Sequence, residues 1–99
     1  MAAVKKMTDA EIAAALPKLA GWTLEGGKLH REYKFPDFKQ AMDFMLAAAP
    51  GIEKLNHHPE WANVYNQVTV DLSTHDAGGI TAKDFELGAL LEGLSKRVL

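Results

Sequence analysis

Apolar residues recur along this chain with two periods, and each change of period marks an expected element. Ile12, Leu16 and Leu19 recur at helical intervals, and Thr8 followed by Glu11 has the spacing of a capping box, so a first helix starts near Asp9. Pro17 ends or bends it. The period then falls to two. Trp22 and Leu24 alternate with polar residues, and Leu29, Arg31, Tyr33 and Phe35 alternate again beyond Gly26-Gly27, a pair that supplies the positive φ of a tight turn. This predicts a β-hairpin. From Phe38 the positions Ala41, Met42, Met45, Leu46, Ala49, Ile52 and Leu55 describe one broad face of a long second helix. Pro50-Gly51 lies inside that series, a pair costing about 3 and 1 kcal/mol in a helix interior, so a kink or two shorter helices is expected, centred between Leu46 and Gly51. The series resumes in phase at Ile52. Val64, Val68, Val70 and Leu72 alternate with Tyr65, Gln67, Thr69 and Asp71, which predicts strand, or a hairpin broken near Asn66. Past Gly78-Gly79, Thr81 can cap a third helix carrying Phe85, Leu87, Leu90, Leu91 and Leu94. The order αββαββα lacks regular βαβ alternation and so predicts the α+β class, an antiparallel sheet with helices on one face.

Length and composition narrow the function classes. The 99 residues suffice for one compact domain, taken as residues 1–99, and 47% hydrophobic with 24% charged residues favours a folded globular chain. A formal net charge of -2 offers no basic field to a phosphate backbone, which argues against direct nucleic-acid binding. The absence of cysteine excludes disulfides, zinc-thiolate sites and thiol nucleophiles, and agrees with a reducing compartment, the cytoplasm being the default. Met1 to Thr8 precedes no apolar run, and the longest apolar stretch, Phe44 to Pro50, is far below spanning length, so neither an export nor a membrane segment is expected.

Candidate chemistry gathers in two short segments. Three of the four histidines lie in Asn56-His57-His58-Pro59 and Ser73-Thr74-His75-Asp76, and the fourth, His30, lies in the early hairpin. Pro59 pushes His58 out of the α region, so the helix ends there and releases two adjacent imidazoles into a loop. His75 closes an alternating strand and belongs at a rim, where function commonly sits. Other readings of these residues stand beside this one: imidazoles at a helix C-terminus simply favour the macrodipole, and three imidazoles can hold zinc. Glu53, one helical turn before His57, can orient that imidazole or form an ordinary surface pair. Asp84, three residues after Thr81, has the place of a cap-completing carboxylate. Trp61 and Tyr65 suit either an aromatic wall for a flat ligand or the core.

Taken together, Glu53-x3-His57-His58-Pro59-x5-Tyr65-x9-His75-x8-Asp84 resembles the signature of the pterin-4a-carbinolamine dehydratases, and Trp22-Thr-Leu24, Glu60-Trp61 and Leu72-Ser-Thr-His75 are similar to that family as well. The resemblance covers nearly the whole chain. It implies a four-stranded antiparallel sheet with three helices packed on one face, and assembly into homodimers or homotetramers. It implies a pterin substrate, the 4a-carbinolamine left by an aromatic amino acid hydroxylase, which loses water to give quinonoid dihydropterin without cofactor or metal. By the same resemblance His57, His58 and His75 are catalytic, with His57 and His75 as acid/base groups and His58 holding the pterin. Asn56, Ser73, Thr74 and Asp76 fall at substrate-contacting positions, and Glu53, Pro59, Trp61 and Asp84 at supporting ones. The chemistry suits imidazoles: the 4a-hydroxyl must gain a proton while N5 loses one, and histidine titrates near neutrality.

Two departures from the family pattern stand out. Pro50-Gly51 occupies the long helix, and Asn56 replaces the aspartate of many members, removing a charge beside the site. Family members that double as transcriptional coactivators supply the rival reading, a binding or assembly protein on the same fold. Its partner surface would be the stripe Leu87, Leu90, Leu91, Leu94, which equally suits core or self-association.

Overall fold

The computed structural model describes residues 5–98. Helix α1, Asp9–Ala15, starts at the expected capping box: Glu11 N–H donates to Thr8 Oγ1 at 3.1 Å and Thr8 N–H to Glu11 Oε1 at 2.8 Å. Pro17 then tightens the chain into a single 3₁₀ turn, Leu16–Lys18. Strands β1, Thr23–Glu25, and β2, Lys28–Lys34, form the first hairpin, with Gly26 and Gly27 at φ 57° and 76°, as a turn that matches strand twist requires.

Helix α2, Phe38–Leu55, is capped by Asp37, whose Oδ1 accepts from Gln40 N–H at 2.8 Å. It runs through Pro50 as one helix, so the division into two shorter helices, one of the two expected forms, does not occur. The proline removes one donor, and the carbonyl deprived of it belongs to Leu46, a residue 71% exposed, on the solvent side of the helix. Ala41, Phe44, Ala48 and Ile52 therefore stay in phase on the buried face. Gly51 has its own reason: a Cβ there would lie 2.6 Å from Leu90 Cδ2 on the neighbouring helix.

Strands β3, Glu60–Val64, and β4, Gln67–Leu72, make the second hairpin, with a turn at Tyr65-Asn66. Helix α3, Ala82–Val98, closes the chain. The four strands are all antiparallel in the order β1-β2-β4-β3, and three helices cover one face, the α+β arrangement expected. Pairings such as Leu29↔Leu72, Tyr33↔Val68 and Trp61↔Val70 align the inward side chains. Leu29, Tyr33, Val68, Val70 and Leu72 then pack against Phe44 and Ile52 of α2 and Leu87 and Leu91 of α3. Phe44 is central, its ring 4.9 Å from Tyr33 and 5.2 Å from Phe35 between centroids.

Arg31 interrupts the inward apolar series for a visible reason. Glu92 Oε1 accepts from Arg31 Nε at 2.8 Å, Tyr33 Oη at 2.7 Å and Trp22 Nε1 at 2.9 Å, tying β2 and the chain before β1 to α3. Leu87 and Leu91 are fully buried, while Leu90 and Leu94 pack against the core half-buried, so the leucine stripe is core on one side and reaches the surface on the other. The large apolar side chains that do face outward are Leu24, Phe38, Leu46, Val64 and Tyr65. No helix among the described residues is long and apolar enough to cross a membrane.

Candidate active site

Three segments supply the site, and one buried carboxylate joins them. At the end of α2, Asn56 turns the chain in the left-handed region, φ 51°, a conformation asparagine tolerates better than most residues. Its N–H closes on the Glu53 carbonyl at 3.1 Å and that of His57 on Ile52 at 3.4 Å. The turn swings His57 inward toward α3. Its ring is only 12% exposed, and Nε2 lies 2.5 Å from Asp84 Oδ1.

Asp84 has no solvent exposure at all, and its position follows from the local sequence. It is the third residue of α3, where its Oδ2 accepts the Thr81 N–H at 2.9 Å while Thr81 Oγ1 accepts from Lys83 N–H at 3.2 Å. Thr74 Oγ1 donates to the same Oδ2 at 2.9 Å and lies 2.7 Å from Thr81 Oγ1. The capping role expected of Asp84 is thus present but is only half of what it does. Burying a carboxylate costs several kcal/mol unless donors surround it, and here an imidazole, a hydroxyl and an amide do so.

His58 departs from its neighbour. Its Nε2 lies 2.6 Å from Glu53 Oε1, both side chains being exposed. Glu53 therefore pairs with His58, not with His57 as its helical spacing suggested. The helix has already ended at Leu55, and the left-handed Asn56 removes His57 from the face that Glu53 occupies. Pro59 then starts the extended run into β3.

From the other side β4 delivers Ser73 and Thr74, half-buried, followed by exposed His75 and Asp76. His75–Ala77 is a 3₁₀ turn that Gly78 ends at φ 77°. Paired bonds between Thr74 and Gly79, at 2.8 and 3.3 Å, hold the loop closed at its base. The network thus brings together the His57 end of α2, the Thr74-His75 end of β4 and the start of α3.

Trp61 takes its core alternative. It faces inward at the edge of the sheet, its ring 6.5 Å from that of Phe44. Tyr65 stands at the hairpin tip, 63% exposed, and five strand steps of about 3.3 Å put it roughly 16 Å from the base that carries the histidines, so it forms no wall with Trp61. His30 lies on the sheet's open face among carboxylates, with Nδ1 2.7 Å from Asp71 Oδ1 and Nε2 2.9 Å from Glu32 Oε2 and 3.8 Å from Glu25 Oε2. The spacing of the histidines did not point to Thr81 as part of the site, although Thr81-x2-Asp84 is the signal that places it there.

Known proteins with the same sequence pattern give this geometry a context. The family model described as Pterin 4 alpha carbinolamine dehydratase matches residues 5–94. Two curated relatives carry the description "Putative pterin-4-alpha-carbinolamine dehydratase". That of Solibacter usitatus is 59% identical over 90 residues, covering 91% of this chain and 95% of the relative. That of Opitutus terrae is 53% identical over 90 residues, covering 90% and 93%. A crystal structure described as a transcriptional coactivator/pterin dehydratase from Brucella melitensis is 40% identical, with a TM-score of 0.88 over 92% of this chain and 99% of that one.

Proposed function

The chain belongs to the pterin 4 alpha carbinolamine dehydratase family, and from that premise we propose that it dehydrates a 4a-hydroxytetrahydropterin to the quinonoid dihydropterin by histidine acid/base catalysis. In this reaction the C4a–O bond breaks, N5 gives up its proton, a C4a=N5 double bond forms and the hydroxyl leaves as water. The step is redox-neutral and consists of two proton transfers, so His57 and His75 are the pair that exchanges protons with N5 and with the departing hydroxyl. His58 holds the pterin, and Asn56, Ser73 and Asp76 contact it from the two loops. Glu53 orients His58, Pro59 sets the exit of the chain from the site, and Trp61 backs the hairpin.

The observation that carries this reading is His57 anchored on the fully buried Asp84. A histidine that merely decorated a helix end would have no use for a desolvated carboxylate, whereas a proton-transfer group needs its ring held at a fixed angle. In the same reading the protein serves tetrahydropterin recycling in the cytoplasm, takes its substrate from an aromatic amino acid hydroxylase and works as a homodimer or homotetramer. The description of the Brucella relative supports a second reading, a coactivator-type binding protein on this fold. A stopped-flow experiment on freshly generated 4a-carbinolamine separates the two. Dehydration is expected to accelerate in proportion to substoichiometric protein, and a rate equal to the uncatalysed one would leave only the binding role.

A further inference from the structure

We infer that Thr74 and Thr81 are positioning residues that hold Asp84 so that it fixes the tautomer of His57, leaving Nδ1 as the nitrogen that exchanges a proton with the substrate. The catalytic half of this inference rests on the dehydratase reading; the tautomer does not.

The hydrogen positions follow from the acceptor count. An ionised carboxylate only accepts, and Asp84, with no exposure to water, takes all its partners from the protein. Thr74 Oγ1 lies 2.9 Å from Asp84 Oδ2 and so must point its hydrogen there. Thr74 then has no hydrogen left for Thr81, and the 2.7 Å contact between the two hydroxyls is made by the Thr81 hydrogen. Thr81 Oγ1 in turn accepts from Lys83 N–H, and the Thr81 N–H completes Oδ2. Every hydrogen in the chain is used once and in one direction. Thr74 and the Thr81 amide hold Oδ2 in place, and as the other oxygen of an ionised carboxylate Oδ1 accepts too, so Nε2 of His57 carries the hydrogen across the 2.5 Å contact.

The consequence is a fixed division of labour within one ring. Neutral and protonated His57 both keep a hydrogen on Nε2, so the bond to Asp84 persists in either state. The proton that comes and goes is carried by Nδ1. Thr74, whose side chain the family resemblance placed against substrate, has its hydroxyl hydrogen committed to Asp84 instead.

Two-bond ¹H–¹⁵N correlation spectra of ¹⁵N-histidine protein, with His57 assigned through His57→Gln, report the tautomer without any assay of activity. The expected spectrum shows neutral His57 protonated at Nε2; protonation at Nδ1 overturns the inference. Asp84→Asn, whose amide can donate to Nε2, is expected to move the hydrogen to Nδ1 and to lower kcat by 10²-fold or more, with KM little changed. Thr74→Val is expected to lower kcat about tenfold, again with KM held, and Thr74→Ser to restore it. Full kcat in Thr74→Val, or a loss confined to KM, overturns the positioning role. Should the valine variant not fold, an unshifted His57 spectrum and wild-type kcat in Thr74→Ser, set against a kcat loss in Thr81→Ala, decide the same question. A wild-type protein inactive on the carbinolamine overturns the dehydratase reading while the spectrum still settles the tautomer.

Discussion

At the scale of single residues, what matters is which carboxylate each imidazole meets. His57→Ala and His75→Ala are each expected to lower turnover by about 10²-fold or more, the usual range for general acid/base groups, in the stopped-flow assay; unchanged rates in both would remove the acid/base assignment. His30 gives a different kind of test. Both its ring nitrogens face carboxylate oxygens, an arrangement that favours the protonated ring. The hydrogen bond to Glu32 first, then that to Asp71, raises its pKa above the ordinary 6.5. A group held above its unfolded value stabilises fully below that value and ceases to do so as pH rises through the folded one. The stability difference between wild type and His30→Gln, followed by urea denaturation, is therefore expected to be largest below pH 6.5 and to shrink as the solution becomes alkaline. A difference that grew with pH would contradict the upward shift. The residues of the site were legible as types and spacings, but their partners were not. Glu53 is one turn from His57 along an ideal helix, yet the chain leaves the helix before that turn is complete. Asp84 reaches His57 from 27 residues away, a distance only the tertiary fold closes.

At the scale of elements, periodicity was a good guide wherever a face is buried and a poor one where a local cost is met by solvent. Element order, the first hairpin turn and the caps of α1 and α3 were readable, because Thr8, Gly26-Gly27 and Thr81 satisfy rules that act within four residues, whereas the caps of α2 at Asp37 and Asn56 went unread. Strand β3 begins earlier than its valine suggested, since Glu60, Trp61, Ala62 and Asn63 form an edge strand with little apolar alternation to reveal it. Pro50 does not divide α2 into two helices, because the carbonyl it leaves without a donor lies on an exposed residue. Replacing Pro50 with Ala restores the donor to the Leu46 carbonyl and is expected to raise stability by about 1–3 kcal/mol, the unfolded chain's greater freedom offsetting part of the gain, with dehydration rates unchanged. Thermal or urea unfolding measures the first; a stable variant with lost turnover would mean that the proline itself shapes the histidine loop.

At the scale of the whole molecule, the helices cover one face of the sheet and leave Leu24, Phe38, Leu46, Val64 and Tyr65 facing outward. Pairing of the chain with itself would cover such side chains and is expected, so light scattering at micromolar concentration should return a multiple of the chain mass; a monomer there would contradict it. The buried carboxylate of Asp84 has a further consequence for how the molecule opens. It holds the end of α2, the end of β4 and the first turn of α3 at one point, so none of the three can detach without stranding a desolvated charge. Native-state hydrogen exchange should then find the amides of Thr74, Thr81 and Asp84 opening as one cooperative unit, with a common dependence on urea. In Asp84→Ala that unit should come apart, each segment fraying at its own rate, while the amides of Val68 and Val70 in the centre of the sheet keep their protection.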